Sequence, residues 1–101
     1  MPFSQVIPRR LLPVAVRNYA PRESGIYGVS NAQEWIYIGE TDNIQDALLD
    51  HLVQSDTPMM KWQPTGFVFE ICDRTSRSAR LDRLVSEYAP RCNQGLAQGR
   101  I

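Results

Sequence analysis

The sequence predicts an α+β domain, and three observations carry that reading. Two short β-type runs, Gly25-Ile26-Tyr27-Gly28-Val29 and Trp35-Ile36-Tyr37-Ile38-Gly39, flank the polar link Ser30-Asn31-Ala32-Gln33-Glu34, which has hairpin length. A third run, Gly66-Phe67-Val68-Phe69-Glu70-Ile71-Cys72, is the clearest strand by composition. Two further stretches, one after Gly39 and one after Thr75, repeat apolar residues at helical spacing. Strand, turn, strand and helix between Gly25 and His51 form the unit around which the remainder is arranged.

With 101 residues the chain is one domain, long enough to bury a modest core. Its 43% hydrophobic and 22% charged content is ordinary for a globular protein. The longest apolar run is far short of a membrane span and the N-terminus carries no charged-then-apolar leader. The expectation is therefore a soluble cytoplasmic protein. Cys72 and Cys92 have neither a disulfide-framework pattern nor metal-ligand spacing and read as reduced thiols. Net charge is zero but unevenly spread: residues 1–22 carry +4, residues 23–60 carry −7 and residues 61–101 carry +3. The paired runs thus lie in the acidic block, the wrong sign for a surface that holds phosphates.

Residues 1–19 read as an arm packed on the domain. Pro13, between Leu11-Leu12 and Val14-Ala15-Val16, argues against a regular helix there and for a short edge strand or an extended segment. In the hairpin, Ile36 and Ile38 share one strand face and Tyr37 takes the other. After Gly39, Asp42 with Gln45 three residues on resembles a capping box. Ile44, Leu48 and Leu52 then form a core stripe, with Ala47 and His51 in the neighbouring row. Asp42, Asp46 and Asp50 make a third row, read as a solvated face. Residues 54–65 read as a loop whose Met59, Met60 and Trp62 tuck under the core or, if exposed, present a partner surface. The second helix begins near Thr75 or Ser76, buries Leu81, Leu84, Val85 and Tyr88, and stops at Pro90. Arg74, Arg77, Arg80 and Arg83 recur every three residues on it, a row able to meet phosphate or to pair with nearby acids. Residues 95–101 read as a frayed tail.

Gly25-Ile26-Tyr27 and Tyr37-Ile38-Gly39, followed by a capped helix bearing His51 and closed by Pro90-Arg91-Cys92-Asn93, resemble the GIY-YIG nuclease domain over roughly residues 20–94. The resemblance implies a small three-stranded antiparallel sheet flanked by helices. Active members of that family cut a DNA strand with one divalent metal. It further implies that Tyr27 helps activate water and that Tyr37 and His51 orient nearby groups. The family's phosphate-neutralising arginine falls on Ala47, and its metal-holding glutamate falls on Leu81 when the chain is counted back from Pro90 without a gap. Phosphodiester cleavage builds negative charge on the phosphoryl oxygens, and a cation must meet it.

Three functions follow as expectations. The first is a GIY-YIG-like domain without endonuclease activity, with Tyr27, Tyr37 and His51 as a vestigial cleft, no cofactor, and a role as an interaction or scaffold module with an unidentified protein partner. The second is a divergent endonuclease using Mg²⁺ or Mn²⁺ held by Asp82. The third is a non-catalytic nucleic-acid binder working through Arg77, Arg80, Arg83 and the basic arm.

Overall fold

The computed structural model describes residue 3 and residues 8–53 and 61–93. Along the chain these form β1 (Arg9–Arg10), α1 (Pro13–Tyr19), β2 (Gly25–Ser30), β3 (Trp35–Thr41), α2 (Ile44–Val53), β4 (Gly66–Ile71) and α3 (Arg77–Tyr88), and a further helical turn opens at Arg91. The architecture is α+β. The sheet is antiparallel throughout, in the order β1-β4-β2-β3. It therefore has four strands rather than three. The fourth is β1, where Arg9 pairs with Phe67 and Arg10 with Gly66.

The expectation that Pro13 excludes a helix is corrected. Pro13 stands at the first helical position of α1, where its missing N–H would have no intrahelical partner and its fixed φ suits the helix. The seven residues of α1 bury Val16, and its C-terminal carbonyls are met from outside. The buried Gln45 amide of α2 donates to Ala20 O at 3.0 Å and to Arg17 O at 3.3 Å. Gln45 thus ties two helices together instead of closing a capping box.

The cap of α2 is also one residue later than the sequence suggests. Asn43 Oδ1 accepts from the Asp46 N–H at 3.1 Å, while the N–H groups of Ile44 and Gln45 donate to Glu23 O and Pro21 O, each at 3.0 Å. Asp42 is drawn away by two arginines of the Arg74–Arg77 segment. Before α3, Asp73 organises the turn, its carboxylate accepting from the Ser76 N–H at 2.9 Å. The helix ends at Ala89 in the left-handed conformation, followed by buried Pro90.

Pleating divides the core into two layers. One contains Tyr27, Val29 and Phe67 from the strands with Val16, Ile44 and Leu48 from α1 and α2. The other contains Ile26, Ile38 and Val68 with Leu81 and Leu84 from α3 and Phe3 from the arm, whose ring stacks on Trp35 and Tyr88. Strict alternation fails at one point. Val29 pairs with Tyr37 and Ser30 with Trp35, so Ile36 is the extra residue of a bulge. Ile36 consequently joins the Tyr27 layer and does not share a face with Ile38.

β3 is a sheet edge, and its exposed backbone is covered by one side chain. Asn93 Oδ1 accepts from the Ile38 N–H at 2.6 Å and Asn93 Nδ2 donates to Ile38 O at 2.7 Å, both buried. The amide acts as a one-residue strand, satisfying a donor and an acceptor that would otherwise template aggregation. Met59, Met60 and residues 95–101 lie outside the described residues. Trp62 is described: it is 38% exposed with the Arg91 guanidinium 4.9 Å from its ring centroid. Both cysteines are free, and among the described residues no helix is long and apolar enough to cross a membrane.

Candidate functional site

The pairing of β2 with β3 sets Tyr27 opposite Gly39. A Cβ at position 39 would lie 2.8 Å from the Tyr27 hydroxyl and 2.7 Å from Tyr37 Cε2, so the glycine is the floor on which both phenols rest. Burial of Ile44 and Leu48 against the same sheet face turns His51, in the last turn of α2, toward them. The three rings close into a triangle, with centroids 5.9 Å apart for Tyr27 and Tyr37, 5.4 Å for Tyr27 and His51, and 5.7 Å for Tyr37 and His51. The Tyr27 hydroxyl lies 2.8 Å from His51 Nε2.

Burial favours the neutral forms of Tyr27 and His51. Tyr27 is only 5% exposed. Burial, followed by the charge and hydrogen bond of Tyr37 and the charge of Asp50, pushes its phenol far above the ordinary tyrosine range. Burial likewise lowers the His51 pKa, with Asp50 opposing in part. A phenol that stays protonated donates to Nε2 when the neutral imidazole carries its proton on Nδ1.

Two positions singled out in the sequence behave differently. Ala47, one turn before His51, packs as a methyl group against the first core layer. Leu81 is 8% exposed and packs with Ile26, Ile38 and Val68, the layer on the sheet face opposite Tyr27. Asp82 beside it is exposed. The structure thus gathers Tyr27, Tyr37, His51 and Ala47 on one face and leaves residues 81–82 on the helix that covers the other.

Three of the arginines at every third position of the Arg74–Arg83 segment, Arg74, Arg77 and Arg80, meet acids. Arg77 meets four acceptors: its Nη1 donates to Ser24 Oγ and Thr41 O at 2.9 Å and to Asp42 Oδ1 at 2.6 Å, and its Nε donates to Glu40 Oε1 at 3.0 Å. Arg80 forms a two-pronged pair with Glu70, at 2.6 and 2.9 Å, and Arg74 does the same with Asp42, at 3.0 Å for each prong. These bonds hold the Asp42 carboxyl below its usual range. Arg83 is exposed. Asn93 is the residue whose structural part the sequence reading missed, although its place at the end of Pro90-Arg91-Cys92-Asn93 marked it.

A hard divalent cation takes several oxygen ligands, carboxylates foremost. Around Tyr27 the ring cluster offers two phenols and one imidazole, with the Asp50 carboxylate acting on it by charge, and the described residues contain no group of three His, Cys, Asp or Glu able to hold a metal ion. The donor set does not fit such a cation.

An antiparallel sheet with helices on both faces, and tyrosines of adjacent strands meeting a helix histidine, is a GIY-YIG-like fold. Solved structures support this. The N-terminal GIY-YIG endonuclease domain of UvrC from Thermotoga maritima, bound to its catalytic magnesium, matches 76% of this chain and 93% of its own, with a TM-score of 0.65 and 19% identity. Tyrosine-to-phenylalanine point mutants of that domain, bound to the catalytic divalent cation, match 76% of this chain and 92–93% of their own at TM-scores of 0.64 to 0.65 and 18–19% identity. No protein-family model and no curated protein matches the sequence.

Proposed function

We propose that this GIY-YIG-like domain has lost endonuclease activity and serves as an interaction or scaffold module. The observation that carries the reading is the neutral, mutually satisfied pair of Tyr27 and His51, beside a methyl group at Ala47. In the UvrC domain the three mutated tyrosines are ten and then fourteen positions apart, and Tyr27, Tyr37 and His51 repeat that spacing. The aromatic framework is retained here. The charges that would act through it are absent from it.

Hydrolysis of a phosphodiester needs a base for water and positive charge for the phosphoryl oxygens. A phenol held far above its ordinary pKa is a poor source of phenolate, and His51 Nε2 already has a partner. Ala47 supplies no guanidinium and Leu81 supplies no carboxylate. Removal of one positioned electrostatic group costs roughly 10²–10³ in rate, and two are missing. Asp82, the carboxylate a divergent nuclease would use, is exposed on the helix covering the opposite face. Arg77 and Arg80 spend their donors on Glu40, Asp42 and Glu70, which argues against phosphate contacts through that row.

The test is nicking of supercoiled plasmid with Mg²⁺ or Mn²⁺, comparing the natural chain with Tyr27→Phe. No cutting by either protein is expected. Cutting abolished by Tyr27→Phe would overturn the reading.

A further inference from the structure

The sheet face opposite Tyr27 carries a groove at its β1 end. Arg10 of β1, Gly66 of β4 and Ser30 of β2 are cross-strand neighbours, so the three form one row across the sheet. Gly66 contributes no side chain to that row. A Cβ there would lie 2.9 Å from Pro8 Cβ and 3.5 Å from Ser30 Oγ, so Pro8 packs directly over the glycine, close beside the Ser30 hydroxyl. Beside this contact runs a groove of about 400 Å³ whose walls include Arg9, Arg10, Ser30, Asn31 and Thr65.

Three features of this groove point to a ligand. Its described lining contains two arginines and no acid. This sets it apart from Arg77 and Arg80 of α3, which meet carboxylates. Second, Ser30 is only 5% exposed, yet among the described residues its hydroxyl makes no hydrogen bond, while its carbonyl accepts from the Thr65 N–H at 2.8 Å. A buried hydroxyl without a partner is uncommon and is satisfied by a group that enters beside it. Third, the wall is fixed: Asn31 Oδ1 accepts from the N–H groups of Gln33 and Glu34, each at 2.9 Å, and Asn31 Nδ2 donates to Trp62 O at 2.7 Å. The groove's volume falls in the range of small-molecule sites, about 300–1,000 Å³.

We propose that this groove binds the phosphate group of a small phosphorylated molecule, with the Arg10 guanidinium as its charge partner and the Ser30 hydroxyl as a donor. A guanidinium fork matches the spacing of phosphate oxygens, and a hydroxyl beside it adds a directed hydrogen bond. The Arg9 guanidinium lies 3.9 Å from the Tyr19 ring centroid, toward the α1 face of the sheet, so Arg10 is the charge that the row itself presents. The site lies on the far side of the sheet from the Tyr27 cluster and stands or falls independently of the loss of endonuclease activity.

Titration of the isotope-labelled chain with inorganic phosphate, with chloride at matched ionic strength as reference, tests this. Saturable amide shifts at Arg10, Ser30, Thr65 and Gly66 are expected, with binding weakened about tenfold in Arg10→Gln. Ser30→Ala should weaken binding without lowering the melting temperature, and Arg83→Gln should leave it unchanged. Shifts that follow ionic strength alone, or equal affinity in Arg10→Gln, would overturn the site. Tighter saturation by acetate at the same amides would overturn phosphate as its ligand.

Discussion

The Tyr27 hydroxyl and His51 Nε2 are 2.8 Å apart, so the most reactive groups of the candidate site satisfy each other. Loss of the hydroxyl in Tyr27→Phe keeps the ring that packs at a tilt against Tyr37 and leaves Nε2 without its partner. A loss of about 0.5–1.5 kcal/mol is expected from chemical denaturation. A neutral or stabilising effect would mean that the pair is not formed in solution.

Stability should also depend on pH through His51. Its folded pKa lies below the ordinary value of 6.5, so between those two values the unfolded chain binds more protons. Its contribution is complete above about 6.5 and is lost as pH falls through the window beneath. Denaturation midpoints should decline on that acid side, and His51→Gln should flatten the decline. An unchanged profile in His51→Gln would assign the acid sensitivity to other groups.

Gly39→Ala places a methyl group 2.7 Å from Tyr37 Cε2 and 2.8 Å from the Tyr27 hydroxyl, closer than real carbon contacts. The rings must move or the strands must part, at a cost of about 1–3 kcal/mol. Near-ultraviolet circular dichroism should change along with the melting temperature. An unaltered aromatic spectrum would contradict the packing of both phenols over Gly39.

Asn93→Ala removes two buried bonds at once and strands the N–H and C=O of Ile38 on the edge of β3. A destabilisation of roughly 1–3 kcal/mol and faster hydrogen exchange at Ile38 are expected. Exchange at Ile38 as slow as in the natural chain would show that something else covers the edge.

Arg77→Met removes the cation shared by Glu40, Asp42, Ser24 and Thr41. The melting temperature should fall, and the difference from the natural chain should shrink in high salt, which screens the exposed Asp42 more than the part-buried Glu40. A salt-independent difference would assign the loss to packing of the side-chain stem.

Much of this protein was legible in its residues. The strands at Gly25–Val29 and Gly66–Ile71, the apolar stripe of Ile44 and Leu48 and the stop at Pro90 follow from composition and local pattern, which a segment carries with it, while the grouping of Tyr27, Tyr37 and His51 was what the family resemblance implied. What local pattern could not decide was anything that depended on a distant partner. Pro13 begins a helix, and Asn43 caps α2 while Asp42 turns to Arg74 and Arg77. Ile36 joins the Tyr27 layer because a bulge interrupts β3. By sequence the arginines of the second helix could meet phosphate or acids, and only the approach of α3 to β3 and β4 determined that Glu40 claims Arg77 and Glu70 claims Arg80. The same packing assigned Leu81 and Tyr27 to opposite layers, because a residue's period sets which face of its own element it occupies, while the sheet decides what that face meets.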